Sequence, residues 1–332
     1  MKTDISWLNT LRQNALTQFE QTRFPSQRLE DWRYTNLSAI EKKQFAFANQ
    51  VETFDDTHKN HLADFMLNDC YHAIFVDGFF DALLSTLPEN ITVCSINEAA
   101  EHHETVLAPV FNQAIESPHG FTHFTNVHFS DGIFVCINEH SQLDKPLQIL
   151  HFATQQAMSA TRHVVILEEN ACATLIETFI GVETQTYLTS SVLEIFLNDH
   201  ANLTLYKVQQ DSDKAYHFGG TYVKQADNAH FTHHNFALGG LLARSEIMSH
   251  LETGAQCELN GLYLGENRQH LDNLTRIVHE KPDAVSREYY KGILNHRARG
   301  VFQGRIVVAK DAQCTDSQMN NRNLLLSSDA EI

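Results

Sequence analysis

The chain has 332 residues, 42% of them hydrophobic, and its 24 Lys and Arg stand against 41 Asp and Glu for a formal net charge of −17. That length accommodates two domains with sizeable cores, and that charge excludes the phosphate-tracking surface a nucleic-acid binder needs. With no run of 18 apolar residues and no apolar signal segment in Met1-Lys-Thr-Asp-Ile-Ser-Trp7, no membrane association and a cytoplasmic location are expected.

Leu8, Leu11, Ala15, Leu16 and Phe19 recur at helical spacing and predict a helix over Asp4–Gln21, capped by Asp4 or Ser6 and ended before Pro25. The next stretch, Pro25–Leu37, concentrates Arg28, Glu30, Trp32, Arg33 and Tyr34. Such a set is either a binding surface or an Arg–Glu pair and an aromatic that pin the first helix to the body. The structural reading is favoured, because hot-spot composition alone has little specificity. A helix is predicted over Thr57–Leu67 and a strand over Tyr71–Val76, with Asp77-Gly78 turning into Phe79–Leu84. Ile91–Cys94 reads as a short strand, Ser95-Ile-Asn-Glu98 as a capping box that opens a helix, and Leu107–Ile115 as a helix. This mixture shows no long period, so a helical or mixed α+β domain is expected over 1–125 and a second domain over 126–332. Asp131-Gly132 then turns into a buried strand, Ile133–Ile137.

From about Gln148 a small residue recurs at Ala171, Ala201, Ala229, Ala255, Ala284 and Ala312, at gaps of 30, 28, 26, 29 and 28 residues. Each follows a turn-forming or polar residue (Asn170, His200, Asn228, Gly254, Asp283, Asp311), and most precede a run that alternates as strands do. A period of this size marks a repeat architecture. Short strands bury one face only if equivalent strands stack, and a small residue recurs where a larger one would collide with its copy in the next coil. The fold class predicted is mainly β: a parallel β-solenoid from Gln148 to Ile332. A β-sandwich would place strands every 8–12 residues without such a period.

The six cysteines, Cys70, Cys94, Cys136, Cys172, Cys257 and Cys314, are dispersed, and no Cys-x-x-Cys is present. Free thiols are expected, with no stable cluster or zinc on the isolated chain. Twenty histidines are many, yet none matches a defined site such as His-Glu-x-x-His. In the cluster His230, His233 and His234 the outer two fall at opposite ends of a strand, so a solvated surface is the stronger reading for all three. Weak metal candidates are His233 and the pair His270 and His279, on either side of a probable strand. No Gly-x-x-x-x-Gly-Lys-[Ser/Thr] loop and no Gly-x-Ser-x-Gly elbow occur, so nucleotide hydrolysis belongs to a partner. A solenoid is also compatible with a carbohydrate-active enzyme built on clustered carboxylates. Only Glu168-Glu169 and Asp211/Asp213 cluster, both in apparent turns. A generic self-associating structural protein is a third reading. In the block Arg299–Val308 the glycines read as structural. Arg299, Gln303 and Arg322 read as interface candidates, and Asn321-Arg322-Asn323 as a polar ladder at a coil corner.

Three stretches together resemble a known family. They are Arg28-Leu-Glu-Asp-Trp-Arg-Tyr-Thr35, Asp131-Gly-Ile-Phe-Val-Cys-Ile137 with Leu143-Asp-Lys-Pro-Leu147, and the C-terminal blocks Arg299-Gly-Val-Phe-Gln-Gly-Arg305, Ala312-Gln-Cys-Thr-Asp316 and Asn321-Arg-Asn-Leu-Leu-Leu-Ser327. They are similar to the SufB/SufD family of iron–sulfur cluster assembly proteins, most like its SufD branch, from about residue 25 onward. The resemblance implies a right-handed parallel β-helix behind a helical N-terminal domain. It also implies a non-catalytic scaffold role in a complex with a SufB-like scaffold and a SufC-like ATPase, in which the iron–sulfur cluster belongs to the assembled complex. The family pattern continues past Ile332 into a Cys-x-His-Gly stretch and the helices that dock the ATPase. A chain lacking that C-terminal helical domain, with weak ATPase docking, is therefore expected. The resemblance places the partner contact near Leu324, Leu325 and Leu326, where an unpaired edge also suggests a homodimer.

Overall fold

Each coil turns at the same kind of corner. Asn170, His200, Asn228, Gly254 and Asp283 adopt left-handed backbone with φ of 57°, 59°, 56°, 66° and 63°, a region that Gly enters freely and Asn and Asp enter with little penalty. The next residue is in every case one of the recurring alanines, and all of these, with Ala312, are buried. The carbonyls of Ala171, Ala201, Ala229 and Ala255 accept from the backbone N–H of Asn202, His230, Gln256 and Val285 in the following coil at 2.8–2.9 Å. A methyl group fits between copies stacked at this spacing, and a longer side chain does not.

The computed structural model describes residues 5–43, 45–50 and 54–332. In chain order these form α1 (Ser6–Thr22), α2 (Ser38–Lys43), α3 (Asp56–Ala63), β1 (Tyr71–Val76), β2 (Phe79–Phe80), β3 (Thr92–Ser95), α4 (Ile96–His102), α5 (Glu104–Val110), α6 (Gly120–His128) and β4 (Ile133–Ile137). The coils follow as β5 (Leu147–Ala153), β6 (Met158–Leu167), β7 (Cys172–Gly181), β8 (Leu188–Leu197), β9 (Asn202–Gln210), β10 (Tyr216–Gln225), β11 (His230–Ala237), β12 (Leu242–Leu251), β13 (Gln256–Gly265), β14 (His270–His279), β15 (Val285–Leu294), β16 (Arg299–Val308) and β17 (Asp316–Leu325).

Odd strands build one sheet, ordered β17-β15-β13-β11-β9-β7-β5-β1-β2, and β3 with the even strands builds the other, ordered β16-β14-β12-β10-β8-β6-β4-β3. Stacked strands are parallel, with Leu147 opposite Leu175, Asn202 opposite His230 and Gln256 opposite Val285. This is the predicted parallel β-solenoid. The antiparallel pairs β1–β2 and β3–β4 close its N-terminal end. Parallel stacking starts at β1, where Tyr71 faces Leu147, well upstream of the stretch read from the sequence as the first coil.

The N-terminal elements follow the predicted order with shifted bounds. Asp55 caps α3 by accepting from the His58 N–H, and Ser95 caps α4 by accepting from Glu98. Among the described residues no side chain caps α1, and Asp4 lies outside them. The strand expected over Phe79–Leu84 is only β2, and the helix expected over Leu107–Ile115 is α5, ending at Val110. Helix α6 occupies the stretch read as a domain boundary. Pro118-His-Gly120 looks like a helix stop but is a start. The His119 ring accepts from the Phe121 N–H at 3.2 Å, while Thr122 Oγ1 accepts from the His119 N–H at 2.7 Å. A Cβ on Gly120 would stand 1.9 Å from the Arg23 carbonyl oxygen, so glycine is what lets α6 touch the end of α1.

The segment Pro25–Leu37 has the structural role expected of it. Trp32 is buried, stacked on Phe121 and Phe218 from the even-strand side, and the Arg244 guanidinium sits 3.8 Å over its ring. Arg244 in turn pairs with Glu246 at 2.7 Å and with Asp272. Thr35 Oγ1 donates to Asp272, which leaves its oxygen to accept from His270 Nε2 at 2.9 Å. Burial would push the Glu246 carboxyl up. The charges of His119, 2.7 Å away, and of Arg244 outweigh it and hold that carboxyl well below the ordinary range. At the rim, Arg305 bonds Glu30 at 3.2 Å. The first helices are thus fixed to the solenoid by a buried ion network under an aromatic lid.

Two stability outcomes follow. Ala255→Leu forces a large side chain between stacked corners and is expected to destabilise by about 1–3 kcal/mol in chemical denaturation. Thr35→Val keeps the shape but deprives buried Asp272 and His270 of a partner, and is expected to lower the denaturation midpoint by about 1–3 kcal/mol equivalent.

Candidate functional site

The solenoid interior is divided. One half is aliphatic, with Val165, Leu167, Ile195, Leu197, Leu203 and Leu251 buried together. The other half is polar. Register aligns Glu177, Lys207 and Asn235 on successive odd strands. Lys207 Nζ is 3.8 Å from Glu177 Oε2 and lies over the Phe179 ring. A Cβ on Gly219, across the interior, would stand 2.0 Å from that ammonium, so glycine makes its room. His151 stacks on Phe179 with its Nε2 4.0 Å from Glu177 Oε1, and His217 Nδ1 is 3.1 Å from Asp211 Oδ2. Asn235 donates to Asn273 at 2.9 Å. The aligned file spans β7 to β11, roughly 10 Å at the usual inter-strand spacing. Glu288 on β15 is buried as well, but register sets it opposite Leu259.

Burial governs the charge state here. It pushes the His163 and His233 rings down to about 3, so both are neutral. It lowers Lys207 against the opposing pull of Glu177 and Asp211, and it raises Glu288 to about 7. His151, His163 and Glu177 place three donor atoms within 4.8 Å of one another. His163 is nevertheless committed. Its Nδ1 accepts from the Ile133 N–H at 2.9 Å, so Nε2 holds the ring proton and has no lone pair for a metal. The trio therefore offers no free His163 nitrogen to a metal, and the interior is a buried polar cluster with many atoms that lack a hydrogen-bond partner among the described residues.

The residues singled out from the sequence are not brought together. His233 lies on the inner face of β11, buried, where a solvated position was expected. His270 and His279 are the two ends of β14, roughly 30 Å apart at strand rise, so they cannot share an ion. His270 serves the Thr35 network, and His279 Nε2 is 2.9 Å from Ser286 Oγ. The remaining candidates lie on the last two strands. Arg299 Nε is 3.8 Å from Glu331, and Gln303 lines a cavity of about 360 Å³ with Glu30, Asp31, Arg33 and Arg305. Asn321, Arg322 and Asn323 lie within β17 rather than at a corner, and Tyr263 Oη donates to Asn323. Strand β17 is bonded to β15 along one edge only, and Leu324, Leu325 and Leu326 are 55%, 45% and 57% exposed. Sequence reasoning missed His151, His163, Glu177, Lys207 and His217. The available signal was a charged residue at an inward position of an alternating run, as in Leu203-Thr-Leu-Tyr-Lys207.

Two family profiles match end to end. "SufBD protein N-terminal region" covers residues 1–149, and "SUF system FeS cluster assembly, SufBD core domain" covers 150–332. The chain belongs to the SufBD family. An iron–sulfur cluster assembly SufBD family protein of Synechocystis is 28% identical over 99% of this chain and 76% of its own length. The iron–sulfur cluster assembly protein SufD of Escherichia coli is 28% identical over 96% of this chain and 74% of its own. A chloroplastic protein of Arabidopsis thaliana, ABCI7, is 23% identical over 98% of this chain and 70% of its own. Two of the carboxylates weighed for a carbohydrate-active site are engaged in local contacts. Asp211 is buried against His217, and Glu168 accepts from the Asn198 amide.

Glu288 supplies a pH test. Its folded pKa lies above the unfolded value, so the fold holds the extra proton between about 4.5 and about 7. The stability that this proton confers is complete below the unfolded pKa and is lost as pH rises through 7. Glu288→Gln is expected to match the parent near pH 4 and to exceed its stability at pH 8.5 by about 1–3 kcal/mol, measured by urea denaturation at both pH values.

Proposed function

We propose that the chain is a non-catalytic scaffold subunit of the SUF iron–sulfur cluster assembly complex, working in the cytoplasm with a SufB-like scaffold and a SufC-like ATPase. In this role it supports ATPase-driven cluster building and iron acquisition, and the cluster is cargo of the assembled complex. The observation that supports this best is the likeness to E. coli SufD across nearly the whole chain. Two of the six thiols are consistent with it. Burial pushes Cys94 and Cys257 up to about 12, which leaves little thiolate to ligate a cluster. The sequence contains no phosphate-binding Gly-x-x-x-x-Gly-Lys-[Ser/Thr] loop, so ATP turnover falls to a partner.

The surface proposed for the SufB-like partner, and for a two-fold dimer of the isolated chain, comprises Arg299, Gln303, Arg322 and Leu324–Leu326. It combines exposed apolar side chains with unpaired backbone along β17. Co-expression with the SufB-like and SufC-like proteins is expected to yield one complex on affinity capture and sedimentation. Leu325→Lys is expected to release the SufB-like partner and to leave the isolated chain monomeric at tens of micromolar. Failure to capture either partner removes the scaffold reading, and a complex indifferent to Leu325→Lys moves the interface elsewhere.

A further inference from the structure

Away from the interior and the last coil, one cluster joins three segments distant in sequence. His250 lies near the end of β12, Glu280 follows β14 in the next coil, and Glu116 lies in the connection between α5 and α6. His250 Nδ1 is 3.0 Å from Glu280 Oε1 and 3.4 Å from Glu116 Oε1, and the three donor atoms all lie within 4.8 Å of one another. The imidazole is nearly buried, while both carboxylates reach solvent.

These separations have a definite chemical reading. A divalent ion with bonds of about 2.0–2.2 Å sets neighbouring ligand atoms about 3.0 Å apart in an octahedron and about 3.4 Å apart in a tetrahedron. The His250–Glu280 contact is a hydrogen bond, and both separations lie near such edges, so an ion fits where the shared proton now sits. The interior trio fails the same comparison, with 4.0 Å between His151 and Glu177. Two carboxylates facing one imidazole also gather negative charge that a dication balances. The cluster opens on a surface cavity of about 450 Å³, lined in addition by Asn198, Lys224, Glu252 and Lys281, with room for waters to complete a coordination shell.

We propose that Glu116, His250 and Glu280 form a surface site for one divalent transition-metal ion, bound through one imidazole nitrogen, two carboxylate oxygens and water. A mixed N,O set suits ions such as Zn²⁺, Co²⁺ or Fe²⁺ over Mg²⁺ and Ca²⁺, which take oxygen ligands. Lys224 and Lys281 at the cavity wall oppose the ion's charge, so it is exchangeable rather than structural. This narrows the expectation of a chain without stably held metal, since that expectation concerned thiols. The site stands on its own geometry and does not depend on the scaffold role.

The test uses the whole chain without a histidine tag, stripped with chelator and titrated with Co²⁺ by calorimetry and visible absorption. One equivalent of Co²⁺ is expected, with d–d bands in the visible, displaced by Zn²⁺ and not by millimolar Mg²⁺. Glu280→Gln and His250→Ala are each expected to weaken binding by about ten-fold or more, the loss that even outer-shell partners of a metal cause. His200→Ala, at an exposed corner, is expected to change nothing. Glu280 is half-exposed, so its variant decides the matter should His250→Ala fold poorly. Absence of binding tighter than millimolar, or Co²⁺ affinity unchanged in Glu280→Gln, overturns the site.

Discussion

The close stacking of corners is the constraint from which the rest of this molecule follows. Parallel strands lie about 4.8 Å apart, so whatever a corner carries meets its own copy one coil away. A left-handed residue followed by alanine satisfies that distance while leaving the alanine carbonyl aimed at the next backbone N–H. Once the corner is fixed, the register of every strand is fixed with it. Register then decides which side chains meet inside. Glu177 and Lys207 are neighbours because their strands share corners, and Asn235 comes next for the same reason.

The two faces of the even-strand sheet solve different problems with similar residues. Facing its inner side, Lys207 and Glu177 of the odd strands meet Asp211, just past β9, and His217 of β10 within a closed space. On the outside, Arg244, Glu246, Asp272 and His119 balance charge beneath Trp32. Removing one member of such a buried set leaves its partner's charge without compensation. In return the docking has a single register: an apolar cover over β8, β10 and β12 would tolerate sliding, whereas Thr35 meets Asp272 and His270 in one position only.

How much of this was legible in the sequence depended on whether the signal was periodic. The alanine ladder, the alternating runs and the strand Tyr71–Val76 were readable because each repeats a local rule. Helix α6 was not, because it is buried nearly all round and its cap is a histidine, a residue that gives no N-terminal signal. The reading of His233 as solvated failed because a polar residue on an alternating strand does not say which face is inward until the register is known. His270 and His279 looked like a possible pair on either side of a strand. Ten extended residues between them make them its two ends. The cluster at Glu116, His250 and Glu280 had no linear spacing to betray it, being assembled from a connection and two adjacent coils.

The docking of Thr35 on Asp272 and of Glu30 on Arg305 has a consequence for the order of events as the chain is made. A solenoid grows coil by coil, each new strand finding its neighbour already in place. Glu30 and Thr35 do not share in that economy. Their partners, Arg305 and Asp272, emerge from the ribosome more than two hundred residues later, on the order of ten to fifty seconds at ordinary synthesis rates. For that interval the segment can rest on the earlier helix α6, through Trp32 and Phe121, before the ion network closes beneath it.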